Sequence, residues 1–185
     1  MKEMKDFLHE MYELFVLRDV AYLVSGSWLL FHIHYVVNGY SFDLFIDHLT
    51  KDTKHLLVYA ALAYFLGLFC YLSACNLKLI EIDPKDFKQN YHTARASLMK
   101  EGSEYVNKVL ERTVFFQMAS LSLFSSSCGS LLLDVFKVLT DYKKSDIYYL
   151  SVTVLIALIS RFNGKREVRY ENSLLLAFAS QCKDK

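Results

Sequence analysis

Three serines and one carboxylate follow each other at helical spacing in the third apolar stretch of this sequence. Ser122, Ser126, Ser130 and Asp134 recur every four residues, which places their side chains along one face of a helix. Small residues at this spacing let two helices approach closely, and serine hydroxyls can hydrogen-bond across the contact. One interpretation of the stripe is therefore a tight seam between helices.

The same stripe can also line a polar path between copies of the chain. A ring of Asp134 carboxylates in a homo-oligomer would favour cations at the mouth of such a path. An ionisable side chain near membrane depth is costly unless it is paired or hydrated, and Lys137, one turn later, is a candidate partner. Both interpretations, a helix seam and an oligomer or pore face, stay open at this point.

Two histidines lie toward the end of the first apolar stretch. His32 and His34 are surrounded in sequence by Trp28, Tyr35 and Tyr40. Histidine side chains change charge near neutral pH, so the pair can serve in proton sensing. The alternative is that both belong to the belt of aromatic rings at a membrane interface. Neither has a metal-ligand partner at helical spacing, and we expect no metal site.

Motifs of enzyme active sites are absent from the sequence. It contains no nucleophile elbow, phosphate-binding loop or zinc motif. Its four cysteines, at positions 70, 75, 128 and 182, lack CxxC spacing. A formal net charge of +1 gives no basic field for nucleic acid. We therefore predict a protein that is not an enzyme, needs no cofactor and does not bind nucleic acid directly.

The elements that carry these residues are long apolar runs. Apolar residue types make up 54% of the 185 residues, and they are gathered into four stretches. Because about 20 helical residues are needed to cross a bilayer, we predict spans near residues 20–37, 56–77, 114–138 and 145–162. The predicted fold is all-α: a four-helix transmembrane bundle over residues 20–162, in contact with membrane lipid.

The positive residues indicate an orientation. With four spans, 16 of the 21 Lys and Arg residues fall on the side of the two chain ends and the long central loop. Cytoplasmic loops carry such an excess. Both termini are therefore predicted to lie in the cytoplasm.

The segments outside the spans are predicted to be helical in part. Residues 1–19 have the pattern of an amphipathic helix. The inner loop, residues 78–112, carries a helical stripe, followed by a hinge at Gly102-Ser103 and a long helix from Glu104. We predict that Asn163-Gly164 ends the last span and that residues 163–185 form a cytoplasmic tail. The loop is the expected docking surface for a soluble partner, through Phe87, Lys88, Tyr91, Arg95 and Lys100.

The start of the first span resembles a pattern in small multi-span proteins of bacterial defence loci. Phe15 and Val16 are followed by Arg18-Asp19, then by Tyr22 and Ser25-Gly26. With four spans and a helical inner loop, this is similar to the membrane-subunit family of the Kiwa antiphage defence system, which has a proline-glycine pair where this chain has Ser25-Gly26. The resemblance implies a homo-oligomer, a tetramer by analogy, that detects phage attack and holds a soluble DNA-binding companion.

Three functions are compatible with these patterns. The leading hypothesis is an inner-membrane sensor or scaffold of an antiviral defence system that recruits a cytosolic protein encoded nearby. The second is a homo-oligomeric pore or ion channel lined by the third span. The third is a membrane protein that gives immunity against a pore-forming toxin.

Overall fold

Five helices make up the part of the chain that the computed structural model describes, namely residues 2–39, 41–77, 79 and 104–183. They are α1 (Lys2–Asn38), α2 (Phe42–Thr50), α3 (Thr53–Asn76), α4 (Glu104–Thr140) and α5 (Lys144–Lys183). The predicted docking residues Phe87, Lys88, Tyr91, Arg95 and Lys100 lie outside the described residues.

Four of the helices are long and apolar enough to cross a membrane. The qualifying stretches are Arg18–Asn38, Thr53–Asn76, Lys108–Thr140 and Lys144–Leu175. Large apolar side chains cover much of the outer surface, including Leu57, Phe65, Phe69, Leu132 and Phe162. A contiguous apolar exterior of this kind is typical of a protein that faces lipid. The all-α fold predicted from the sequence is confirmed, and the protein has the architecture of a multi-pass membrane protein.

The helices form a bundle with two different ends. Residues 39–52 and 141–143 connect neighbouring helices at one end, which we call the hairpin end. The opposite end, which we call the basic end, holds the start of α1, the end of α3, the start of α4 and the end of α5. Helix α1 packs against both α3 and α4, α3 also contacts α4, and α5 packs along α4.

The hairpin end contains a helix that the sequence patterns did not predict. Gly39, at φ 69°, ends α1 in the left-handed region, and its N–H donates to the carbonyl of Tyr35 at 3.0 Å. Ser41 then caps α2 by accepting from the N–H of Leu44. Phe45 on α2 is buried against Phe31. The short helix therefore covers the end of α1.

Residues 2–19 are helical, and α1 continues from them without a break into the first apolar stretch. One boundary differs from the one expected. The last helix does not end at Asn163-Gly164, since α5 runs on to Lys183 and Gly164 is buried inside the bundle. An isolated glycine within a helical pattern is tolerated when packing supports the helix. The long helix predicted from Glu104 is confirmed as α4.

Candidate functional site

The stripe on α4 lies inside the bundle of a single chain. Ser122, Ser126 and Ser130 are fully buried, and Asp134 is 1% exposed. In this arrangement the stripe faces other helices of the same chain, which agrees with the interpretation as a seam between helices. An oligomer or pore face stays a prediction.

One end of the stripe joins three helices through two serines. Ser122 Oγ on α4 donates to the carbonyl oxygen of Gly67 on α3 at 2.9 Å and lies 2.6 Å from Ser25 Oγ on α1. Ser25 Oγ also lies 3.2 Å from the carbonyl oxygen of Tyr22, so the two hydroxyls share two protons among three contacts and either one can donate to the other. The contact therefore satisfies polar groups that would otherwise be unpaired in the apolar interior.

The contact between these serines and Gly67 depends on the close approach of α1 to α3. A Cβ atom on Gly26 would lie 1.7 Å from the carbonyl oxygen of Ala63, and a Cβ on Gly67 would lie 2.0 Å from that of Tyr22. Helix backbones at such separation need glycine at the crossing point. The Ser25-Gly26 pair thus has a packing role. The glycine leaves room for the backbone of α3, and the serine contributes a hydrogen bond.

The other end of the stripe holds a fully buried ion-pairing group. Asp134 Oδ1 lies 2.7 Å from Nδ1 of His32 on α1. Asp134 Oδ2 accepts from Oγ1 of Thr153 on α5 at 3.1 Å, and the same hydroxyl lies 3.3 Å from Nε2 of His32. The expected partner Lys137 instead contacts Asp141, at 3.3 Å. These three side chains, His32, Asp134 and Thr153, are called the buried triad below.

The Thr153 hydroxyl has three polar atoms within hydrogen-bond distance. The carbonyl oxygen of Tyr149 is the nearest, at 2.8 Å, and Asp134 Oδ2 and His32 Nε2 follow at 3.1 and 3.3 Å. Its single proton is therefore divided among these contacts. The hydroxyl links the other two members of the buried triad to the backbone of α5.

No continuous chain of hydrogen bonds links the two ends of the stripe through the described serines. The hydroxyl of Ser126 donates to the carbonyl of Leu123 within its own helix, at 3.1 Å. Ser130 Oγ is buried and has no hydrogen-bond partner among the described residues. The seam therefore consists of two polar clusters separated by small residues.

The second predicted histidine belongs to a different contact. Asn38 Nδ2 donates to Nδ1 of His34 at 2.9 Å, which leaves the ring proton on Nε2. Nε2 lies 2.5 Å from the hydroxyl of Tyr59 on α3. His34 is partly exposed, whereas His32 is fully buried, so the two side chains do not act on one site.

Two further polar pairs were not predicted. At the hairpin end, the hydroxyl of Tyr35 donates to Asp146, whose other oxygen accepts from the N–H of Lys143 at 2.6 Å and caps the start of α5. Toward the basic end, Gln117 Nε2 donates to Oε2 of Glu171 at 2.7 Å. In each pair the two residues are far apart in sequence, so helical periodicity does not indicate that they are in contact. The only local sequence signal is that Asp146 and Glu171 are acidic residues next to apolar runs.

Among the described residues, no cluster of three or more His, Cys, Asp or Glu side chains could hold a metal ion. Cys70, Cys75 and Cys128 are free thiols.

Comparison with known proteins adds no relative. No family model, no curated protein and no solved structure matches this chain. The functional conclusion therefore depends on the geometry described above and on the resemblance in residues 15–26.

Proposed function

We propose that the protein is a bacterial inner-membrane sensor or scaffold that recruits a cytosolic protein through the basic end of its bundle. The observation that carries this proposal is the excess helix length at that end. Helix α4 has 37 residues and α5 has 40, which correspond to about 55 and 60 Å. A bilayer core of about 30 Å takes up half of that length.

The excess lies on one side because the connections at the hairpin end are short. Residues 141–143 join α4 to α5 directly, so both helices must continue beyond the membrane at the basic end. Helix α1, with 37 residues, begins on that same side. Three helices that continue out of the membrane on the same side provide a surface for a soluble protein.

The type of partner comes from the resemblance. The pattern over Phe15 to Gly26 is similar to the membrane subunit of the Kiwa antiphage system, and this supports a role in defence with a DNA-binding companion. We assign the contact to the inner loop, through Phe87, Lys88, Tyr91, Arg95 and Lys100. The chain would act as a homo-oligomer, with the companion and not the chain itself touching DNA.

Copurification tests the proposal. The full tagged chain is extracted from membranes of cells that also express the neighbouring genes, and bound proteins are identified by mass spectrometry. The variant K88Q/R95Q/K100Q should lose the partner. The control K51Q/K54Q/K143Q removes the same charge at the hairpin end and should retain it. Recovery of the chain alone, or equal loss from both variants, would overturn the proposal.

The pore and immunity alternatives have less support. The residues that would line a pore are buried within one chain, and conduction would require the bundle to rearrange. Current through reconstituted bilayers that disappears in Asp134→Asn and Ser126→Leu would favour the pore. Protection of cells from a pore-forming toxin by this chain alone would favour immunity.

A further inference from the structure

A partly open cavity of about 370 Å³ lies between α4 and α5 at the basic end. It is separate from the buried triad, and the proposed partner contact does not use it. Each helix contributes an arginine and an aromatic ring to its wall. The lining residues that matter here are Arg112, Thr113 and Phe116 from α4, and Arg166, Glu167 and Tyr170 from α5.

The cavity lies at the depth of lipid headgroups. Tyr148, at the start of α5, is exposed at the hairpin end, where an interfacial tyrosine is expected. About 20 residues of helix cross the hydrocarbon core, so the core ends near Glu167. The headgroup region extends some 5 to 7 Å farther on each side, as the full bilayer is about 40–45 Å thick. The wall formed by Arg166 and Tyr170 therefore faces headgroups.

The charged groups of the wall suit a phosphate. Nε and Nη2 of Arg166 both contact Oε1 of Glu167, at 3.2 and 2.8 Å, which fixes the direction of the guanidinium group. The guanidinium of Arg112 lies 5.4 Å from the centre of the Phe116 ring, which holds it against the α4 surface. Two guanidinium groups and one carboxylate leave one positive charge in excess. Guanidinium groups bind phosphate oxygens with directed hydrogen bonds.

Apolar surface adjoins the charged wall on the membrane side. Phe116 is 39% exposed, and Phe162, one turn from Arg166 toward the hairpin end, is 69% exposed. A soluble anion makes no use of these rings. A ligand with a phosphate group and acyl chains contacts both parts at once.

We propose that this cavity binds the headgroup of an anionic phospholipid, with Arg112 and Arg166 on the phosphate and the acyl chains along Phe116 and Phe162. Basic recesses between helices on the cytoplasmic side of a membrane favour such lipids. The bound lipid would join α4 to α5 at the point where they leave the membrane.

Native mass spectrometry of the full chain in detergent tests the proposal. The protein is titrated with phosphatidylglycerol and, separately, with phosphatidylcholine of the same acyl chains. Wild type should retain phosphatidylglycerol more strongly. Each arginine near an anionic headgroup contributes about fivefold in affinity, so R112Q should lose about fivefold and R112Q/R166Q about 25-fold.

Two further measurements test the specificity of the site: a variant that removes the same charge elsewhere, and competition by a soluble anion. The variant K165Q/R169Q removes two exposed positive charges from α5 outside the cavity and should keep the preference for phosphatidylglycerol. An unchanged preference in R112Q/R166Q, or an equal loss in K165Q/R169Q, would overturn the site. Displacement of the lipid by inorganic phosphate at equal concentration would show an anion site without lipid specificity and would also overturn it.

Discussion

His32 on α1 and Asp134 on α4 are 102 residues apart in sequence, and their side-chain atoms Nδ1 and Oδ1 lie 2.7 Å apart in the interior of the bundle. Thr153 of α5 contacts both groups. Helices α1 and α5 also meet nearer the hairpin end, where the hydroxyl of Tyr35 donates to Asp146 and the Tyr35 ring lies 4.5 Å from that of Tyr149. The buried triad is therefore one of the polar contacts that hold α1, α4 and α5 together.

The first prediction concerns this pair. His32→Leu leaves the Asp134 carboxylate buried with one partner fewer, and Asp134→Leu does the same to the imidazole. Removing one member of a buried charged pair costs about 3 kcal/mol, whereas replacing both with apolar residues costs much less than the sum. Unfolding of the four proteins in detergent measures the coupling. Asp141→Asn, at a 60% exposed side chain, is the control and should change stability little. Additive losses in the double variant would contradict the pairing.

The second prediction concerns the crossing of α1 and α3. Gly67→Ala places a methyl group against the backbone of Tyr22, which cannot move without separating the helices. We expect a loss of several kcal/mol or failure to fold, since a shift of whole helices is required. Gly129→Ala is a matched control, because its methyl group would meet Leu29 Cδ1 at 3.3 Å, a flexible side-chain end. Thermal unfolding in detergent distinguishes them, and equal behaviour of the two variants would contradict the close crossing.

Hydropathy and charge were sufficient to predict the four long apolar helices, because the requirement to span a lipid core acts on each stretch separately. The partners of Asp134 were not predictable in the same way. One-dimensional spacing suggested Lys137, yet α4 turns that lysine toward Asp141 while the carboxylate faces α1. The stripe itself was visible as a pattern, but whether it faces a helix of the same chain or another copy depends on how α1 and α4 rotate about their axes.

Helix α2 carries a local sequence signal of its own. Ser41 followed by Asp43 is a cap and first-turn acidic pair, and Phe45 lies at the spacing that buries a side chain on the end of α1. Thr153, by contrast, is a single polar residue in an apolar run, and no local pattern separates it from the other hydroxyls of α5.

A third prediction concerns the contact between Gln117 and Glu171. Glu171 is fully buried, so Gln117→Leu removes one hydrogen bond to a carboxylate that water cannot reach. The expected loss is about 1–3 kcal/mol, confined to the part of the α4–α5 contact near the basic end. Hydrogen exchange should become faster there and stay unchanged around Asp146. The neighbouring swap Met118→Leu conserves volume and should leave exchange as in wild type. Faster exchange along the whole bundle would contradict a local role.

A fourth prediction tests the membrane orientation. Single cysteines are introduced at Asp141, at the hairpin end, and at Ser173, an exposed position near the basic end, in a chain whose own cysteines are replaced by alanine. A membrane-impermeant maleimide should label Asp141→Cys in cells whose outer membrane alone is opened. It should label Ser173→Cys only after the inner membrane is also broken, because the excess of Lys and Arg keeps that end in the cytoplasm. The reverse pattern would invert the bundle, and equal labelling of both positions in cells with an intact inner membrane would contradict a chain that crosses it. Because α4 and α5 extend beyond the membrane on the Ser173 side, an inverted result would also remove the surface on which a cytosolic partner could bind.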